Sequence, residues 1–277
     1  MEISAAIVKA FRDKTGLPMM DCKKALVEAN GDEEKAIEIL RKAGAKTMEG
    51  RTDRETEAGR IALFVDAASG VTAMVELLCE SAPVSNTAEF IELINAIAKQ
   101  LAVGPGAATA AELLAQAFPD KPGVTLQHAY DDLVNKIREV FRLTRFVRVE
   151  GPCGAYVHHN SAIGVLVPME GTNVDLGKDI GMHVASMKPK ALSEAHLDPA
   201  IVKKERGLIL EQVQEQSKGK PENVIQKIVD GKMKAFFAEH TLLGQPFVKD
   251  TAKTVAQVCE EGEIKIKEMI HWVLGQS

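Results

Sequence analysis

An order of elements that occurs twice constrains the fold of this chain more than any other feature of its sequence. In each copy, two short runs rich in aliphatic residues flank a turn, as in an antiparallel hairpin, and a segment with helical apolar periodicity follows. The copies comprise strands 61–65 and 71–78 with helix 87–102, and strands 154–158 and 163–167 with helix 174–187. The repeat predicts an α+β core of two related subdomains, in which antiparallel sheets pack against helices.

Apolar side chains at helical spacing predict three short helices before the first hairpin. A glycine that tolerates left-handed backbone ends each of them, at Gly16, Gly31 and Gly44. The segment 46–58 is charged and lacks apolar periodicity, so we expect a linker or a helix extension there. The side chains predicted to form the small core are Ile3, Ile7 and Phe11, then Met19, Cys22, Leu26 and Ala29, then Ile37 and Leu40.

The segment from Asp198 to Ala238 predicts two antiparallel helices joined by a turn at Lys218-Gly219-Lys220-Pro221. Their apolar seam is imperfect, so we expect a short coiled pair whose exposed faces offer a surface for a homodimer. The seam residues are Val202, Ile209, Val213 and Gln216 on one helix, and Ile225, Ile228, Val229, Lys232 and Phe236 on the other. The predicted division of the chain is a three-helix module and linker (1–56), a core N-subdomain (57–142), and a core C-subdomain (143–277) with this insertion at about 192–238.

Composition excludes several classes of protein. A formal net charge of −5 argues against sequence-independent nucleic-acid binding, which needs a basic face. No apolar run approaches the roughly 18 residues of a membrane span, so we expect no membrane association and a cytoplasmic location. The cysteines show no CxxC pair, so we expect reduced, buried thiols and neither a zinc site nor a redox motif. They are Cys22, Cys79, Cys153 and Cys259.

Local motifs give no support for an enzyme or for a bound cofactor. The sequence contains no GxxxxGK[ST], GxGxxG, HExxH or GxSxG. An enzyme would also need a pocket of converging polar groups, which the sequence does not indicate. His158, His159 and His183 have no carboxylate or cysteine at ligand spacing, so we expect surface or turn histidines and no metal site.

The second helix carries a pair of methionines with different surroundings. Met20 points about 100° away from Met19 on an ideal helix, and it lies off the predicted core stripe. An adaptable apolar side chain at such a position can contact a partner protein. It can also simply cover the edge of the small core, and the helical pattern alone favours this second alternative.

Five segments, in order along the chain, resemble motifs of the elongation factor Ts family. The longest is TGLPMMDCKKALVEANGDEEKAIEILRKAG, which starts at Thr15 and is similar to the family's N-terminal signature TGAGMMDCKKAL with its following GD and LR. The others are CESAPVSN, YVHHNSAIGVLV, DIGMHVASMKP and LLGQPFVKD. The resemblance implies an α+β protein with a ubiquitin-associated-like three-helix module, two related subdomains and a coiled-coil insertion.

The resemblance also implies a function without covalent chemistry. The family binds elongation factor Tu in its GDP form and accelerates GDP release, so that GTP can bind. By this resemblance, Arg12, Met19 and Met20 contact the nucleotide domain of the GTPase, while a second foothold contacts another of its domains. That second foothold comprises His158, Ile163 and Gly164.

One segment departs from the family pattern. Where the family has Thr-Asp-Phe-Val, whose Asp and Phe help to dislodge magnesium from the GTPase, this chain has Ser81, Ala82, Pro83 and Val84. The carboxylate and the aromatic ring are both missing. The alternative function is therefore an adaptor that binds a protein without promoting exchange.

Overall fold

A computed structural model describes residues 3–51, 53–217 and 221–276, and for 45–49 it describes the backbone only. The described chain mixes helices with sheets, as the duplicated hairpins predict. It divides into two compact units: the described parts of Met1–Val149, His159–Ala162 and Val273–Ser277 form unit 1, and Glu150–His158 with Ile163–Trp272 form unit 2. Of the turn predicted at Lys218–Pro221, residues 218–220 lie outside the described residues.

Three helices at the start of unit 1 share one small core. They are α1 (Ala5–Thr15), α2 (Met19–Glu28) and α3 (Glu33–Glu49). Their ends follow local chemistry, since Gly16 adopts left-handed backbone after α1 and the carboxylate of Asp32 accepts the Lys35 N–H at 3.1 Å before α3. The buried side chains are Val8, Phe11, Cys22, Ala25, Leu26, Ala29, Ala36 and Leu40. Each fully buried Leu or Phe stabilises the fold by roughly 1.5–3 kcal/mol.

The prediction for the core face of α1 is wrong by one residue. Ile7 is exposed, and its neighbour Val8 is buried together with Phe11. Val8 and Phe11 lie three residues apart and therefore share a helix face, and the side chains of α2 and α3 pack on that side. Periodicity alone does not distinguish the two faces, because Ile7 and Phe11 are also neighbours on the helix.

The rest of unit 1 is a sheet with helices packed on it. The first two strands pair antiparallel, from Ala58 opposite Cys79 to Asp66 opposite Val71, and the second strand lies between the first and the third. The apolar stripe of the helix predicted at 87–102, which includes Phe90, is buried in this unit's core. The elements are β1 (Ala58–Asp66), β2 (Val71–Cys79), α4 (Ala82–Ser85), α5 (Ala88–Val103), α6 (Ala110–Leu114), α7 (Leu126–Ile137) and β3 (Arg142–Glu150).

The third helix continues past Gly44, where its apolar pattern predicts the end, and residues 46–49 follow the helix-extension alternative given for the segment 46–58. A Cβ atom at Gly44 would lie 1.4 Å from Oδ1 of Asn135 on α7, so any side chain there would clash with the present position of the Asn135 side chain. The glycine therefore serves helix packing, and α3 continues to Glu49. Sequence patterns cannot separate these two uses of a glycine near a helix end.

A buried carboxylate ties residues 273–275 to the sheet of unit 1. Glu76, in the central strand β2, is 2% exposed. It accepts hydrogen bonds from Oγ1 of Thr144 at 2.6 Å, from Nε of Arg145 at 3.0 Å and from the N–H of Gly275 at 3.1 Å. Arg145 also donates to the carbonyl of Val273 at 2.8 Å. The buried charge is thus fully paired, as burial of an ion requires.

Unit 2 repeats the hairpin-and-helix order. The first two strands pair antiparallel, from Cys153 opposite Pro168 to Val157 opposite Gly164. The following helix crosses the first strand closely, because a Cβ atom on Gly154 would lie 2.1 Å from the carbonyl carbon of Gly177. The elements are β4 (Cys153–Val157), β5 (Ile163–Glu170), α8 (Val174–Met187), α9 (Pro199–Gln216), α10 (Glu222–His240), β6 (Pro246–Phe247), β7 (Asp250–Thr254), α11 (Val255–Glu261), β8 (Lys265–Ile266) and β9 (Ile270–Val273). Short 3-10 turns lie at Glu194–His196 and Leu242–Gly244.

His183 on α8 is fully buried, so its prediction as a surface or turn histidine is wrong. Its Nε2 lies 2.9 Å from Oε1 of Gln245, and its Nδ1 accepts the N–H of Val248 at 3.1 Å. These partners define the neutral tautomer with the proton on Nε2. Burial lowers the pKa of His183, because it disfavours the charged imidazolium.

Helices α9 and α10 pack against each other over a short apolar seam. Ile209, Val213, Val229 and Met233 are buried in it. Met233 occupies the position that the sequence pattern assigned to its neighbour Lys232. On the outer faces, Ile201, Leu208 and Val224 are exposed.

Among the described residues, no helix is both long and apolar enough to cross a membrane. The four cysteines are free thiols and all are buried.

Candidate functional site

The second helix presents an apolar surface to solvent. Met19, Met20 and Val27, which we call the α2 surface, are 43%, 61% and 55% exposed. Met20 and Val27 are seven residues apart and so project within about 20° of each other. The buried residues of α2, which include Cys22 and Leu26, lie on the side of the helix opposite Met20 and Val27. Met19 lies seven residues before Leu26, on the core side of the first turn, and is exposed all the same, so its prediction as a core residue is wrong. A surface helix normally keeps such side chains inside, so this face is a candidate for contact with another protein.

Arg12 lies on the other side of the turn that precedes α2. It is in the last turn of α1, where its carbonyl accepts the N–H of Gly16 at 2.7 Å. Its guanidinium is half exposed and lies 3.4 Å from the carboxylate of Asp13. Such an exposed pair is weak, so the Arg12 guanidinium can exchange this carboxylate for one on another protein.

Residues 81–86, which we call the α4 turn, follow the central strand β2. Ser81 is extended and precedes the single helical turn of α4, with Pro83 near its start. The carbonyl of Ala82 accepts bonds from Oγ of Ser85 and Nδ2 of Asn86, both at 2.9 Å. Proline and these two bonds restrict the backbone, and the turn exposes the methyl of Ala82 and the ring of Pro83. Val84 packs against the core of unit 1.

Both ends of the α4 turn are fixed by charged side chains from other parts of unit 1. At the start, the carboxylate of Glu139 accepts the N–H of Ser81 at 3.0 Å and its hydroxyl at 2.6 Å. At the end, Arg60 on β1 donates to Oδ1 of Asn86 at 2.9 Å and to Oγ of Ser161 at 2.7 Å. Charge-assisted bonds of this kind are short and strong, so the turn is held in one place.

The residues of the predicted second foothold lie in unit 2, at the end of its first hairpin where the turn joins the two strands. The N–H of His158 donates to the carbonyl of Ile163 at 2.9 Å, and Gly164 is buried opposite Val157. The hydroxyl of Tyr156 lies 2.8 Å from Nδ1 of His158. Ile163 packs against the core of unit 2, so only part of its side chain can face a partner.

The predicted site residues therefore fall into three groups. Arg12 with the α2 surface and the α4 turn belong to unit 1, and His158 with its strand belongs to unit 2. Sequence reasoning missed Arg60 and Glu139, which hold the α4 turn. Both are polar residues whose partners are distant in sequence, and neither belongs to a motif, so the sequence carries no signal for them.

Burial sets the protonation state of three of the four cysteine thiols. Burial raises the pKa of Cys79, Cys153 and Cys259 to about 11, so these thiols stay protonated near neutral pH. In the parts of the chain that the structure describes, no three His, Cys, Asp or Glu residues are grouped so that they could hold a metal ion.

Comparison with known proteins identifies the family. The family model described as "Elongation factor TS" matches residues 83–276. The chain is 37% identical over 276 residues to an elongation factor Ts from Hydrogenobaculum sp. (strain Y04AAS1), which covers 99% of this chain and 100% of the relative. It is 40% identical over 263 residues to that of Cytophaga hutchinsonii, with 93% of each chain covered. It is 36% identical over 279 residues to that of Thioalkalivibrio sulfidiphilus, with 100% of this chain and 93% of the relative covered. This chain belongs to the elongation factor Ts family.

Proposed function

We propose that this protein binds elongation factor Tu in the cytoplasm and promotes exchange of GDP for GTP during translation elongation. The observation that carries the proposal is the similarity to elongation factor Ts proteins over nearly the whole length of both chains. The exposed methionines of the α2 surface support it, because they offer apolar area for a protein partner. The protein acts through binding and performs no covalent chemistry.

Exchange of this kind requires differential affinity. A GTPase holds its nucleotide through backbone contacts to the phosphates and through a magnesium ion with strict octahedral geometry. A protein that binds the nucleotide-free GTPase more tightly than the GDP form lowers the affinity for GDP by the same ratio. No catalytic residue is needed on this chain for that effect.

Two separate footholds supply the binding energy in this proposal. Arg12, Met19 and Met20 contact the nucleotide domain of elongation factor Tu. The end of the unit 2 hairpin, with His158, Ile163 and Gly164, contacts another domain of the GTPase. Contacts to two domains can favour the domain arrangement of the nucleotide-free GTPase.

The α4 turn acts near the magnesium site in this proposal. Its exposed residues Ala82 and Pro83 bring neither a carboxylate nor an aromatic ring, so any distortion comes from the backbone and the proline ring. This observation favours one second candidate, an adaptor that binds a protein partner without releasing its nucleotide. The two candidates share the binding surfaces and differ in the effect on GDP release.

The domain organisation belongs to the same proposal. Residues 1–56 form a ubiquitin-associated-like module with its linker, 57–142 and 143–277 form the two core subdomains, and the insertion at about 192–238 is a coiled coil. The outer apolar side chains of α9 and α10, which include Leu208, are the surface proposed for a homodimer. Neither nucleic acid nor a membrane is a direct partner in this proposal.

Release of fluorescent GDP from the cognate elongation factor Tu tests the proposal. We expect this protein to accelerate release, and to bind the nucleotide-free GTPase more tightly than the GDP form in calorimetry. Equal affinities with and without GDP would contradict the exchange function. Binding of the GTPase without faster release would favour the adaptor, and capture of no translational GTPase from a native lysate would contradict binding to elongation factor Tu.

A further inference from the structure

Three consecutive residues after α7 connect the α2 helix to the α4 turn. The guanidinium of Arg138 lies 2.7 Å from the carboxylate of Asp21, which is the neighbour of Met20 on α2. The carboxylate of Glu139 holds the N–H and the hydroxyl of Ser81. The N–H of Val140 donates to Glu80 at 2.8 Å. A segment of three residues thus touches both surfaces of unit 1 that are proposed to meet the GTPase.

Local backbone geometry explains why these side chains diverge. Arg138 has left-handed backbone, with φ 64° and ψ 28°, and its N–H closes α7 by donating to the carbonyl of Val134. Left-handed geometry is unfavourable for a residue with a Cβ atom, so the surrounding contacts must hold it. One such contact is the bond from Arg51 to the Arg138 carbonyl at 2.7 Å. The chain reverses at this residue, and Arg138 and Glu139 reach different neighbours.

These contacts fix positions more than they stabilise the fold. Arg138 and Asp21 have half-exposed side chains, 52% and 40%, and ion pairs in such settings contribute little to stability. The Glu139 bonds are less exposed and define the place of the Ser81 backbone with two donors. Substitutions here should therefore change geometry while the protein stays folded.

We propose that Arg138 and Glu139 are positioning residues that hold the α4 turn in a fixed place relative to the α2 surface. When the GTPase binds at α2, the turn is then already placed at the nucleotide site and needs no further rearrangement to reach it. Ala82 and Pro83 have short side chains. If the turn were displaced by even a small distance, these side chains could not span the gap to the GTPase. The inference rests on the proposed function and adds two residues to it.

Variants of Arg138 and Glu139, which we call the bridge between α2 and the α4 turn, test the inference. Arg138→Gly removes the guanidinium but keeps the left-handed backbone, and Glu139→Gln removes the charge that holds Ser81. We expect each variant to lower the maximal rate of GDP release at saturating protein by about three- to tenfold, with less than about twofold change in affinity for the nucleotide-free GTPase. Arg138 and Glu139 hold the same turn in place, so the loss of either residue releases it. The double variant should therefore promote GDP release no more slowly than the slower single variant.

Lys121→Gln is the matched control, since it breaks an exposed ion pair of similar geometry, Lys121 with Glu92 at 2.6 Å, elsewhere in unit 1. It should leave the release rate unchanged. Wild-type release rates in Arg138→Gly and Glu139→Gln would overturn the inference. Losses that multiply in the double variant would also overturn it, because they would show two independent effects.

Amide hydrogen exchange of the free protein separates this inference from the proposed function. The Ser81 amide should exchange faster in Glu139→Gln and also in Arg138→Gly, whose substitution lies outside the Ser81 contact. Unchanged protection of Ser81 in Arg138→Gly would overturn the bridge whether or not GDP release responds. If the wild-type protein does not accelerate GDP release while Ser81 responds as expected, the proposed function fails and the structural bridge stands.

Discussion

Met20 lies two residues from the fully buried Cys22 and yet is 61% exposed. The sequence predicts this difference, because the 100° step along a helix separates Met20 from the core stripe. The same reasoning misplaces Ile7, because two adjacent residues both have the spacing that fits Phe11. An exposed methionine gains free energy when a partner covers it, because its apolar surface then leaves water.

At this scale we predict the effect of Met20→Asp. The carboxylate should weaken binding of nucleotide-free elongation factor Tu by about tenfold or more, because a charge in an apolar contact is costly to desolvate. The thermal unfolding midpoint should stay close to wild type, since the position is exposed. Calorimetry and thermal denaturation measure the two quantities.

Leu26→Asp is the contrasting variant on the same helix. Leu26 is fully buried, so this change should lower the unfolding midpoint strongly. A similar loss of stability in Met20→Asp would show that Met20 belongs to the core. Unchanged affinity in a folded Met20→Asp protein would exclude the α2 surface from the interface.

Among the secondary-structure elements, those with long regular patterns were predictable. The two hairpins, α5 and α8 follow strong apolar periodicity, and their observed bounds agree with the predicted segments to within a few residues. The short strands β6–β9 and the α4 turn were not predicted, because two to five residues carry too little pattern. The contacts that hold the α4 turn were also invisible, since a single Arg or Glu finds its partner only in the folded chain.

The α4 turn gives a prediction at the scale of one element. Ala82 and Pro83 are exposed, so Ala82→Asp with Pro83→Phe should fold normally and place a carboxylate and an aromatic ring where the family has them. We expect a rate of GDP release about tenfold higher at saturation, with a smaller change in affinity for the GDP form. Stopped-flow release across a magnesium titration measures this.

The two outcomes separate two mechanisms for the turn. A faster double variant would mean that the wild-type protein lacks a wedge that contributes to release. Unchanged or slower release by a folded double variant would mean that the backbone held by Pro83, Glu139 and Arg60 already supplies the distortion.

For the whole molecule, one buried and one half-buried imidazole of unit 2 predict how stability depends on pH. Burial lowers the pKa of His183 and of His271, and nearby Lys188 lowers that of His271 further. For a histidine whose pKa is lower in the folded chain than in the unfolded chain, the contribution to stability is fully present above the unfolded pKa of about 6.5. That contribution is lost as the pH falls from there towards the folded pKa, by about 1.4 kcal/mol for each pH unit and each histidine.

We therefore expect the free energy of unfolding, from denaturant titration, to be lower at pH 5.5 than at pH 7.5. His183→Gln removes one of the titrating groups, so the difference between the two pH values should shrink. An unaltered difference in His183→Gln would show that protonation of His183 is not coupled to unfolding.

The family resemblance spans most of the chain, so the general α+β architecture could be expected from the sequence. What could not be expected is that residues 273–276 return to the sheet near the start of the chain. No local pattern marks Gly275 as a donor to Glu76, because the two residues are 199 positions apart in the sequence. Only the folded backbone brings them together.

The contact between Glu76 and the segment 273–275 also determines when unit 1 can complete its hydrogen bonds during synthesis. Glu76 and Gly275 are 199 residues apart, so at about 5–20 residues per second the ribosome makes the amide roughly 10–40 s after the carboxylate. During that interval β1 and β2 can already pair, while Glu76 still lacks the Gly275 amide and Arg145 lacks the Val273 carbonyl. Unit 1 is therefore the first part of the nascent chain able to fold and the last to complete its hydrogen bonds.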